Sequence, residues 1–138
     1  MAAAEPRLRR VTPPLLLAGG VLVASIALHL RDPHRSGSWG FCPWLVTTGT
    51  HCPGCGGLRA VNDLTRGDLA SAASSNLLFV SSIPVLALLW LRSFVQRWQG
   101  VRRPLPQPAA GVVAAVAIAL VAVFWVVRNL PFGAALAP

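Results

Sequence analysis

Residues 109–127 read AAGVVAAVAIALVAVFWVV, a run with no charge and no strongly polar side chain. At about 1.5 Å of rise per residue, roughly 19 helical residues cover most of a hydrocarbon core about 30 Å thick, so this run predicts a membrane span. Residues 11–30 form a second run, opened by Pro13 and Pro14, where a helix start tolerates proline, and closed by Arg31 and Asp32. Residues 72–91 form a third, interrupted by Ser81, Ser82 and Pro84, which predicts a kinked crossing. Either serine hydroxyl is placed to serve the carbonyl that Pro84 frees. A dip and return is the alternative for that run, but Arg92 directly after it favours a full crossing. The expected fold is an all-α integral membrane protein of one domain. It has a basic tail at 1–10, spans at 11–30, 72–91 and 109–127, an outer loop at 31–71 holding the cysteines and a short amphipathic helix, a basic inner loop at 92–108 and an outer tail at 128–138.

The composition agrees. The chain has 138 residues, 54% of them hydrophobic and 12% charged. All twelve basic residues are arginine, which fits a GC-rich bacterial source. Arg7, Arg9 and Arg10 precede the first run, and Arg92, Arg97, Arg102 and Arg103 follow the second. The positive-inside rule therefore places both clusters in the cytoplasm of a bacterial membrane and the 31–71 loop outside. A cleaved leader, with 15–24 as its apolar core and Ser25-Ile26-Ala27 as its site, is the weaker reading of the N-terminus and leaves the loop on the same side. Inner-face arginines meeting anionic head groups account for the net charge of +8 without a nucleic-acid partner.

Within the loop, 32–38 has turn composition, while 39–46, with Trp39 and Trp44, is too short to span and is expected to lie in the outer interface. Then comes Cys52-Pro-Gly-Cys-Gly-Gly57. Leu58, Val61 and Leu64 follow at helical spacing, which predicts a short helix from the glycine pair to Gly67. Asp68 is expected to cap a further helix running straight into the second span. Two thiols separated by Pro-Gly can point to one side of a tight turn, and three chemistries use that geometry. As a zinc knuckle, Cys52 and Cys55 give two ligands, Cys42 a third, and His34 or His51 the fourth. As a redox pair, Cys55 gains a lowered pKa from the helix N-terminus and Cys42 acts as resolving thiol. As a structural turn, the cysteines and glycines only close the chain, with or without a disulfide to Cys42.

The pattern Cys42-Pro43, a spacer ending in Thr48-Gly49, Cys52-Pro-Gly-Cys-Gly56 and Arg59-Ala60 closely resembles domain-of-unknown-function family 2752, a bacterial family of small multi-pass membrane proteins. The resemblance covers roughly residues 40–91, and Trp125-Val-Val-Arg-Asn-Leu-Pro131 resembles an ending that recurs in the family. It implies a membrane location and no established activity. Leu58 stands where the family usually has Thr, and Leu77 where Pro is common, so no role of that Thr hydroxyl is carried over.

Other polar residues gain meaning from topology. With the third span running outward, Arg128 and Asn129 emerge beside the cysteines, as does Asn76 at the start of span two. Arg59, Asn62 and Arg66 share a face of the short helix. Arg59, Asn62, Asn76, Arg128 and Asn129 are therefore a candidate anion-accepting or partner-binding face, against the simpler readings that Arg128 anchors a helix end and Arg59 pairs with Asp63. His29 is expected to be a packing histidine. Small residues at Gly20 and Ala24, and at Gly111, Ala115 and Ala119, have the spacing that lets membrane helices approach, within the chain, in a homo-oligomer or against another membrane protein. The acidic residues, Glu5, Asp32, Asp63 and Asp68, all lie outside the apolar runs, so no carboxylate pair or intramembrane proton relay is available. No P-loop, dinucleotide fingerprint or G-x-S-x-G occurs. The expected role is a non-catalytic accessory that binds a partner protein or membrane lipid through its outer face. The alternative is a thiol-redox or metal-binding protein using Cys42, Cys52 and Cys55.

Overall fold

The computed structural model describes residues 7–35, 37–101, 103–104 and 106–136. Arg102, Ser36, the beginning of the basic tail with Glu5 and the last two residues of the outer tail lie outside the described residues. Among the described residues the fold is all-helical, with three helices long and apolar enough to cross a membrane, α1 (Arg7–Leu30), α5 (Leu77–Gln99) and α6 (Gln107–Arg128). Between the first two lie three short ones, α2 (Pro43–Thr48), α3 (Gly57–Thr65) and α4 (Leu69–Ser75), and a 3-10 helix (Pro131–Leu136) follows α6.

Helix α1 begins at Arg7, so Pro13 and Pro14 lie inside it and not at its entrance. Their missing N–H groups belong opposite the carbonyls of Arg9 and Arg10, at the polar end of the helix, where water can serve them. The Pro14 carbonyl instead accepts the Trp90 indole N–H of α5 at 3.0 Å, which ties the two spans together. Trp90, Phe94 and Trp98 stack along one face of α5, with centroids 5.5 and 6.3 Å apart. Helix α5 runs through Pro84 without a break. Ser81 and Ser82 bond the Leu78 and Phe79 carbonyls, not the Val80 carbonyl that Pro84 frees.

The segment entering the second span is not continuous. Asp68 does cap α4, accepting the Ser71 N–H at 2.9 Å, but that helix stops at Asn76. Asn76 is extended (φ −161°, ψ 93°) and opens α5 by accepting the Phe79 N–H at 2.9 Å. The break lets α4 fold back on α3, where Ala60 and Ala72 are completely buried. The C-terminal ends of α1 and α6 and the N-terminal end of α5 thus meet at the cysteine-bearing segment, while Arg7, Arg10, Arg97 and Arg103 gather at the opposite end.

Candidate metal centre

The cysteine segment is shaped by its own turns. Cys42 precedes α2, which ends at Gly49 in the left-handed conformation (φ 68°), and this returns the chain toward the thiol. Cys52-Pro-Gly-Cys closes with the Cys55 N–H donating to the Cys52 carbonyl at 3.1 Å. Gly56, at φ 83°, then turns the chain into α3. Such a φ is open to glycine and strained for a side chain with a Cβ. Gly57 has no such φ and has space where a Cβ would stand.

The three sulfurs form a triangle. Cys52 and Cys55 Sγ are 2.9 Å apart, Cys42 and Cys55 3.4 Å, and Cys42 and Cys52 3.6 Å. They are the group of side chains among the described residues that is disposed to hold a metal ion, all within 4.8 Å of one another. Their acidities oppose the expectation for the redox pair. Burial pushes the Cys55 thiol up to about 12, reinforced by hydrogen bonds with the other two thiols. The helix N-terminus does not offset this, because Cys55 sits before the Gly56 cap. The backbone amide of Leu45 and the Cys55 thiol hold Cys42 below its ordinary value. Of these two thiols, Cys42 is the more readily ionised.

Three of the five residues of the expected outer face, Asn62, Asn76 and Arg128, are buried inside the fold, and Asn76, Arg128 and the exposed Asn129 hold this segment in place. Arg128, 1% exposed, donates from Nη1 to the carbonyls of Cys52 (3.0 Å) and Cys55 (3.2 Å), with its Cζ 4.9 Å over the Phe124 ring. Its Nε and Nη2 are buried without a partner, and no carboxylate among the described residues pairs with it. Asn76 Nδ2 donates to the carbonyls of Pro53 (2.9 Å) and Cys55 (3.0 Å). Asn129 bonds His51 reciprocally, accepting its N–H at 2.7 Å and donating to its carbonyl at 2.9 Å. Asn62 donates to the Leu28 carbonyl at 2.7 Å and accepts from Arg66 Nε, fastening α3 to the end of α1. Arg59 alone of the five is half-exposed. Asp63 is taken by Ser75 Oγ at 3.0 Å and His34 Nε2 at 3.4 Å.

The two candidate histidines are used differently. His34 sits between Asp32 and Asp63, away from the sulfurs. His51 lines the same cavity as the three cysteines, and its Nδ1 is buried without a partner. His29 bonds Thr65 Oγ1 at 2.9 Å, a packing contact between α1 and α3. Sequence reading missed the His34–Asp63–Ser75 chain and the capping role of Asn76. An Asn directly before Leu77-Leu78-Phe79 was a usable signal for the second.

Residues 42–90 match the model of a family described as a protein of unknown function, DUF2752. The matched segment runs from Cys42 through the knuckle to Trp90, so it contains the whole sulfur triangle and the Asn76 cap. Arg128 and Asn129, which complete the site from α6, lie beyond it. No curated protein and no solved structure matches the chain.

Proposed function

We propose that the cysteine triangle is a zinc site and that the protein is a membrane-embedded metal-binding protein. The observation carrying this is the pairing of three clustered thiols with a buried guanidinium that has no anionic partner. A buried charge is costly unless it is compensated. Thiolates held by a metal supply that compensation beside Arg128, whereas neutral thiols or a disulfide do not. The donor set fits. Zinc–sulfur bonds of about 2.3 Å in a tetrahedron put sulfurs roughly 3.8 Å apart, so the triangle need open only by tenths of an ångström at two edges and somewhat more between Cys52 and Cys55. Three cysteines leave one position; His51, whose buried Nδ1 has no partner and which lines the same cavity, lies outside the sulfur cluster and would have to move inward to fill it.

Elemental analysis of the protein purified from zinc-supplemented cells is expected to find stoichiometric zinc. Cys42→Ser, Cys52→Ser and Cys55→Ser should each lose as much as the Cys52/Cys55 double change, because ligands of one ion act as a unit. Metal-free protein with unmodified thiols, or a double variant with normal metal content, ends the proposal. We further place the arginine end in the cytoplasm of a bacterial membrane, on the Arg7–Arg10 and Arg92–Arg103 clusters. A cysteine at Gln99, exposed at that end, should resist an impermeant thiol reagent in intact cells. Gly100 is unsuitable because its φ is 72° and a Cβ there would meet the Arg10 guanidinium.

A thiol-redox role is the second reading, supported by the close approach of the three sulfurs, with Cys42 in place of Cys55 as the more acidic thiol of the two. In metal-free protein, iodoacetamide should modify Cys42 at lower pH than Cys55, which should resist until the pH nears 12. Folded Cys55 holds its proton more tightly than the unfolded chain does. The metal-free fold should therefore be fully stabilised by this group below the ordinary thiol value of about 8.5 and lose that stability as the pH rises toward 12. Identical alkylation profiles for the two thiols would remove this reading.

A further inference from the structure

A cavity of about 440 Å³ opens beside the sulfur triangle, and its chemistry is not that of a metal site alone. Arg35 and Arg59 line it, and no acidic residue does among the described residues. Neither guanidinium has a hydrogen-bond or ion-pair partner among the described residues, in contrast to Arg66, which faces Asp32, and Arg128, which is spent on the Cys52 and Cys55 carbonyls. Besides His51, the three cysteines and the glycines of the knuckle, the wall has an open apolar part: Trp39, Phe41, Val46 and Leu58 line the cavity, with Phe41 76% and Val46 68% exposed. The cavity lies where α1 has ended at Leu30 and α5 has not yet begun, which is the depth at which the apolar helices give way to head groups.

Two unpaired arginine forks beside an exposed apolar wall suit a ligand with several acidic oxygens and an apolar chain. A phosphate group presents such oxygens to two guanidinium planes better than a carboxylate does. We infer that this cavity binds the phosphate of an anionic phospholipid, with Arg35 and Arg59 holding the phosphate and Phe41 and Val46 covering the first part of an acyl chain. The inference is independent of zinc occupancy, and a free organic phosphate shares its chemistry but not its use of the apolar wall.

The test uses the full chain in neutral detergent, with the thermal unfolding midpoint read against added dihexanoyl phosphatidylglycerol, dihexanoyl phosphatidylcholine and inorganic phosphate. Phosphatidylglycerol should raise the midpoint saturably and more than phosphatidylcholine, as expected for a ligand bound by the folded state alone. Arg59→Gln should weaken that binding about tenfold, and Arg35→Gln/Arg59→Gln further, each loss matching a charge-assisted hydrogen bond. Zinc content and the ligand-free midpoint should stay at wild-type values, which separates failure here from failure of the metal site. Phe41→Ser should weaken phosphatidylglycerol binding and leave inorganic phosphate unaffected. A shift by inorganic phosphate that depends on both arginines and not on Phe41 would assign the cavity to a free phosphate compound and overturn the lipid. No saturable shift with any probe, or equal shifts in the wild type and the double arginine variant, would overturn the site. If the double variant does not accumulate, Arg59→Gln alone against Arg59→Lys decides, with only the lysine variant expected to keep measurable binding.

Discussion

In α5 and α6 none of the apolar span is buried within the protein, whereas the cysteine cap buries Asn62, Asp63, Ser75, Asn76 and Arg128. The two regions solve the same solvent problem in opposite ways. A span satisfies its backbone internally, and lipid accepts its side chains, so almost any apolar sequence of the right length serves. The cap is made of turns whose carbonyls have no helical partner, so each must be met by a particular donor. That is why the polar residues of the fold are concentrated there, and why α6 is joined to the rest through its last residues, Arg128 and Asn129, and through Trp44 against Trp125 at 5.5 Å.

The substitution expected to break the cap most severely is Arg128→Gln. It removes two donors from the Cys52 and Cys55 carbonyls and, with zinc bound, the positive charge that compensates the thiolates. Partners of this kind outside the ligand set are worth about 10- to 100-fold in metal affinity, so competition with a chelator should show a loss in that range. If zinc affinity is unchanged while the unfolding midpoint falls, Arg128 is a clasp only. Asn76→Ala comes next. It removes the α5 cap, worth about 1 kcal/mol, and leaves the Pro53 carbonyl without its donor at a further 1–3 kcal/mol. The Cys55 carbonyl keeps Arg128. A total near 3 kcal/mol should appear as a clear drop in thermal midpoint, and a drop no larger than that of a surface change would mean the Cys52–Cys55 turn stands without it.

Gly56→Val and Gly57→Val sharpen the comparison at adjacent positions. The first forces a β-branched residue to φ 83°, at a cost of roughly 1–3 kcal/mol. The second meets nothing and adopts an ordinary helical φ, so it should cost under about 1 kcal/mol. Sequence reading gave both glycines equal weight. Equal losses of abundance for the two variants would show that the αL turn does not control the segment.

The spans were legible because a membrane helix is specified locally: an apolar run of sufficient length carries the whole signal, and 109–127 shows it without reference to any other residue. The short helix after the glycine pair and the Asp68 cap were legible for the same reason, being set by neighbours within a turn or so. The break at Asn76 was harder. An apolar run reads as one helix until a backbone carbonyl elsewhere claims the Asn side chain, and here the claim comes from Pro53 and Cys55. The cysteine triangle was half visible. Cys52 and Cys55 announce themselves by spacing, but Cys42 joins them only because Gly49 turns the chain back. The roles of Arg128 and Asn129 were the least legible, since their partners at Cys52 and His51 are 76 and 78 residues away in sequence. Nothing in a helix end says whether its arginine reaches lipid head groups or a loop from another part of the chain. The acidity of Cys55 was misjudged on similar grounds, because proximity to a helix start is a sequence property and burial is not.

The smallest effect belongs to the lipid-facing side of α6. Ile118, 70% exposed, lies in its middle, and Ile118→Val removes one methylene. In a protein core that deletion costs about 0.5–1.5 kcal/mol, because the surrounding side chains relax only partly around the space. Acyl chains are fluid and refill it, so on this face the loss should stay within about 0.5 kcal/mol, the usual range for surface changes. The measurement is the unfolding midpoint in lipid nanodiscs, with Ala72→Leu as the contrasting change. That substitution adds three carbons where α4 meets α3 with no exposed surface and should cost at least 1–3 kcal/mol through overpacking. A loss at Ile118 as large as a core deletion would mean that protein, not lipid, covers this face. The stripe of Gly111, Ala115 and Ala119 on the same helix would then be the place to look for a second chain, since small residues four apart let two membrane helices come into close contact.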